Sequence, residues 1–68
     1  MNKDSEVGVS RCIYLDLLID KFWKEGYLNR VNHLSNEKSA IYRSLLKGDL
    51  THDEWTDLWD EIADRVAA

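Results

Sequence analysis

The chain has 68 residues and a mass of 8.0 kDa, near the lower limit for one self-supporting hydrophobic core, which excludes a multidomain enzyme. Its composition, 44% hydrophobic and 32% charged with three Trp, three Tyr and one Phe, is too apolar for an obligately disordered chain. The formal charge of −4 is concentrated at one end: residues 1–34 balance five basic against five acidic groups, whereas residues 49–68 set Arg65 against seven acids, a segment suited to a basic protein surface rather than a nucleic-acid backbone.

With no proline and glycines only at positions 8, 26 and 48, the chain divides into segments of helical length. The expected architecture is all-α: a compact bundle of three main helices at about 10–25, 36–47 and 51–66, with a short fourth helix compatible with 27–34. Residues 1–9 are polar apart from Val7 and Val9 and read as a flexible lead-in to a single helical domain at 10–68, with Ser10 as a cap.

In the first helix, Leu15, Leu18, Ile19 and Phe22 follow helical spacing, and Ile13, Tyr14 and Leu17 widen the apolar surface beyond one stripe. Such width calls for more than one packing neighbour, and a second copy of the chain is one candidate. Ile13, Leu17, Trp23 and Tyr27 are accordingly the expected apolar interface of a homodimer. Lys24 and Gly26 suit a helix C-terminus, because a cation complements the last turn and glycine takes the left-handed conformation.

In the segment after Tyr27, Leu28, Val31 and Leu34 carry the short helix, and Ser35 or Asn36 is placed to cap the next one. There Ala40, Ile41 and Leu45, with Tyr42 and Leu46 beside them, form the inward face up to Gly48. Thr51 and Glu54 then stand three apart, the spacing at which each side chain reaches the other's backbone N–H in a capping box, while Leu50 and Trp55 stand where a hydrophobic staple requires them. Within the helix so started, Trp55, Leu58, Trp59, Ile62 and Val66 make a regular apolar stripe.

The opposite face of that helix carries Asp57, Asp60, Glu61 and Asp64, with Asp53 before them, at mutually repulsive i,i+3 and i,i+4 spacings relieved only by Glu61 with Arg65. Acids at 53 and 54 complement the start of the helix, but Asp60 and Asp64 come too late for that service. Asp57, Asp60, Glu61 and Asp64 are therefore the expected charged face for a partner. Solubility is the competing account of the same charge.

The order Gly48, Leu50, Glu54 resembles the second half of an EF-hand calcium loop. With Gly48 at loop position six, Arg43, Leu45 and Lys47 fall where oxygen ligands are needed, which excludes calcium. His33 and His52 are nineteen positions apart and Cys12 lies far upstream, so no ligand spacing for zinc is present. Cys12 sits in an apolar helix without a local base and reads as a structural thiol. No cofactor is expected. As the only cysteine it forms no intrachain disulfide, and with no apolar run near twenty residues the chain is expected in the cytoplasm and outside the membrane.

These residues read as a small acidic, non-enzymatic protein-interaction module, a regulator, inhibitor or adaptor acting on a protein with a basic surface. Two alternatives stand beside it: a dimeric DNA-associated regulator using Lys38 and Arg43, and a structural subunit of a larger assembly.

Overall fold

The computed structural model describes residues 3–48 and 50–67, with the side chains of 5–48 and 50–66. Three helices follow in order, α1 (Lys3–Glu25), α2 (Leu28–Gly48) and α3 (His52–Ala67), and among the described residues there is no strand.

α1 and α2 form an antiparallel hairpin. Gly8 lies against Leu45 and Ile41, Arg11 pairs with Glu37, and Arg30 covers the Phe22 ring, so partners on α2 fall in number as those on α1 rise. The turn between them is a Schellman closure. Gly26 takes φ 83°, its N–H donates to the Trp23 carbonyl at 3.2 Å, and the Tyr27 N–H donates to the Phe22 carbonyl at 3.0 Å. At α3 the reciprocal cap is formed: the Thr51 N–H donates to Glu54 Oε1 at 3.1 Å, and the Glu54 N–H donates to Thr51 Oγ1 at 3.2 Å.

α3 lies across one end of the hairpin and packs on α1. Val9, Cys12 and Ile13 from α1, Leu45 from α2, Leu50 from the link, and Trp55, Leu58 and Ile62 from α3 make the core cluster. Ile41, Tyr42, Leu46, Trp59 and Ala63 pack around it, and no member lies between residues 14 and 40. Leu15 and Val31 are buried outside this cluster.

Several expectations require correction. The stretch 1–9 is not a lead-in from residue 3 onward: α1 starts at Lys3, Ser5 and Val9 are fully buried, and Ser10 is an exposed interior residue rather than a cap; residues 1 and 2 lie outside the described residues. The cause is close helix approach, since a Cβ built on Gly8 would come within 2.7 Å of Leu45 Cδ1. Small residues at Ser5, Gly8 and Cys12 let α2 come near, a contact that hydrophobic periodicity does not register.

The fourth helix is likewise not a separate element. Leu28 opens α2, which runs through Ser35 and Asn36 without interruption. These polar residues sit mid-helix, where the packing of Val31 and Leu34 on α1 outweighs their weak preference for caps. Ala40 is exposed rather than inward, and Val66 is exposed at the end of the α3 stripe.

Candidate functional site

α3 presents its acidic residues as one exposed face. Asp53, Asp57, Asp60 and Asp64 recur every three or four residues, all are exposed, and among the described residues none has a cation within ion-pair distance. Glu61 shares that surface but is partly neutralised. Arg65 Nη2 stands 3.3 Å from Glu61 and 3.7 Å from Glu6 on α1, so the last turn of α3 is tied to the first turns of α1 by charge.

The expected apolar interface divides. Ile13 is 8% exposed and belongs to the core cluster, which removes it from any interface set. Leu17, Trp23 and Tyr27 are 59%, 64% and 50% exposed. Leu17 follows Ile13 by one turn of α1 and is exposed, whereas Trp23 and Tyr27 flank the hairpin turn with Leu28, an exposed leucine missed by the sequence reading. Tyr27 is occupied on one side: its ring meets Phe22 edge-on at 6.1 Å, and the Arg30 guanidinium sits 4.9 Å from its centroid.

Where the three helices meet lies a groove of about 500 Å³. Asp16 and Ile19 of α1 form one wall, Ser35, Lys38, Ser39 and Tyr42 of α2 the other, and Trp55 and Trp59 of α3 close one end. Trp55 is buried and touches Tyr42 edge-on at 4.8 Å, while Trp59 is only partly buried and leans on Trp55 at 5.8 Å. Tyr42 Oη and His52 Nδ1 are 2.8 Å apart, which ties α2 to the start of α3.

Lys38 occupies this groove. Its Nζ stands 2.8 Å from Asp16 Oδ1 and 5.2 Å from the centre of the Trp59 ring. One cation therefore satisfies a carboxylate on α1 and an indole on α3 at once, a combination of charge-assisted hydrogen bond and cation–π contact. No local pattern announces it, because the three residues come from three helices and meet only in the folded chain.

The remaining candidates for chemistry are placed as follows. Cys12 is fully buried, its Sγ 3.8 Å from the Lys38 carbonyl oxygen, and burial pushes its thiol pKa up against the lowering influence of Lys38. A raised pKa keeps the neutral thiol at physiological pH and suppresses nucleophilicity. His33 is exposed on α2 and His52 begins α3, so the two are not brought together at Cys12. Among the described residues no group of three His, Cys, Asp or Glu side chains could hold a metal ion. Arg43 is exposed and donates from Nε to the Ser39 carbonyl at 3.3 Å, one turn back along α2. None of the described helices is long and apolar enough to cross a membrane.

Comparison with known proteins finds no matching family model, no matching curated protein and no matching solved structure.

Proposed function

We propose that this chain is a non-enzymatic protein-interaction module, a cytoplasmic regulator, inhibitor or adaptor that meets a basic protein surface with the outer face of α3. The observation that carries the reading is the row Asp53, Asp57, Asp60 and Asp64, exposed and without a cationic partner among the described residues. Like charges one turn apart cost helix stability. Asp60 and Asp64 also stand too far along α3 to be repaid by the helix dipole, so a complementary surface is the natural recipient of that charge.

The DNA-associated alternative is weaker on the same geometry. Lys38, one of its two cations, is engaged by Asp16 and Trp59, and Arg43 lies five positions further along α2, on a different side of the helix. Duplex binding draws most of its affinity from phosphate contacts by free cations.

The test uses a dye-labelled cationic peptide of nine arginines and, in parallel, a labelled DNA duplex, each titrated at low and at physiological salt. Peptide binding that weakens with salt, and that falls at least fivefold when Asp57, Asp60 and Asp64 become Asn and Glu61 becomes Gln, supports the reading. Unchanged peptide affinity in that variant removes α3 from the functional face, and salt-sensitive duplex binding without peptide binding transfers the proposal to nucleic acid.

Self-association belongs to the same proposal. Leu17, Trp23 and Tyr27 are the exposed apolar side chains that a homodimer would cover. Sedimentation equilibrium across a concentration series reads this directly: a mass of twice 8.0 kDa supports the dimer, and a monomer throughout the micromolar range rejects it.

A further inference from the structure

We propose that the groove between the helices is an arginine seat for the basic partner, and that Lys38 is an internal stand-in for the incoming side chain. The inference rests on the reading of the chain as an acidic interaction module and adds where and how one partner residue is recognised.

The groove already binds a cation, its own. Asp16 Oδ1 holds the Lys38 ammonium at 2.8 Å, and the face of Trp59 lies 5.2 Å from it. A carboxylate beside an aromatic face is the arrangement that recognises a cationic side chain. Arginine satisfies it better than lysine, since a planar guanidinium can fork onto the carboxylate while stacking on the indole, and it is more weakly hydrated than an ammonium. The Lys38 and Asp16 side chains are 33% and 51% exposed, so the seat is open to water and the ammonium can swing out on its flexible stem.

The size of the groove agrees. The groove measures about 500 Å³, whereas one water takes ~30 Å³ of the liquid, which leaves room for a long side chain beside a displaced lysine.

Two peptides of equal length and charge, nine arginines and nine lysines, test the seat by fluorescence anisotropy at low salt. Lys38→Ala empties it, and Lys47→Ala is the control, because Lys47 is exposed outside the groove lining and each variant changes the net charge from −4 to −5. The expected result is that Lys38→Ala tightens arginine-peptide binding about fivefold, the scale of a cation–π contact joined to a charge-assisted bond. Lys47→Ala should change it less than about twofold, and the lysine peptide should respond alike to both variants. Adding Asp16→Asn to Lys38→Ala should abolish the gain, and Trp59→Phe should narrow the wild-type preference for arginine. Equal responses to Lys38→Ala and Lys47→Ala overturn the seat while leaving the acidic module standing. If neither peptide binds the wild-type chain, both the seat and the acidic module are overturned. Circular dichroism keeps the comparison to folded variants.

Discussion

The two ends of the α1–α2 hairpin differ sharply in how they are finished. At the end that α3 crosses, Val9, Cys12, Leu45 and Leu58 are buried in one cluster, with Leu58 only 2% exposed. At the turn end, Trp23, Tyr27 and Leu28 are all at least half exposed, although Trp23 is a larger apolar group than any of the four. The difference teaches that burial in so small a chain is decided by the reach of the third helix. α3 has 16 residues, about 24 Å of helix, and it spans one end of a hairpin whose helices have 23 and 21.

Breaking the covered end should have the largest effect. Leu58→Ala leaves a cavity in the cluster and should cost about 2–5 kcal/mol by urea denaturation; a loss below about 1 kcal/mol would show that the cluster collapses around the gap. Gly8→Val probes the close approach of α1 and α2. Its side chain would collide with Leu45, and overpacking of this kind costs about 1–3 kcal/mol. A rise in melting temperature would mean that the helices separate at no cost.

Next in size is the cap that starts α3. Thr51→Ala should cost about 0.5–2 kcal/mol, read from the same denaturation curves. The box is also sensitive to acid, because the backbone N–H and then the hydroxyl of Thr51 lower the Glu54 pKa below the ordinary carboxylate value. Ionised Glu54 therefore contributes stability that is fully present above its unfolded-state pKa and is lost as the pH falls through its lower folded-state pKa. Glu54→Gln should flatten that part of the stability profile; an unchanged acid limb would place the loss in other carboxylates.

The smallest effect belongs to the open end. Trp23→Ala should change monomer stability by less than about 0.5 kcal/mol, as for a surface substitution, while lowering any self-association seen by sedimentation. A loss of several kcal/mol at micromolar concentration would mean that the turn end is covered by a second copy under those conditions. The contrast between the two ends would then describe the isolated chain alone.

Much of the covered end was legible in local pattern. The stripe Trp55, Leu58, Ile62 and the pair Thr51 with Glu54 are spaced by helix geometry within one segment, so a reader of residues alone can place α3 and its cap. The Gly26 turn was legible for the same reason, since a left-handed φ of 83° favours glycine at that position. The start of α1 was not legible. Ser5, Gly8 and Val9 carry no strong apolar period, and their burial depends on how near α2 comes.

What the sequence by itself determined is therefore the all-helical class, the capped third helix and the acidic face of Asp57, Asp60, Glu61 and Asp64, all of which follow from side chains three or four residues apart. Tertiary structure alone decided that Ile13 is core and Trp23 surface, that 28–48 is one helix, and that Asp16, Lys38 and Trp59 converge in a groove. The physical reason is range. Capping and helix periodicity act within a turn or two of the chain, whereas burial and ion pairing between helices depend on which distant segments pack together and how far each one reaches.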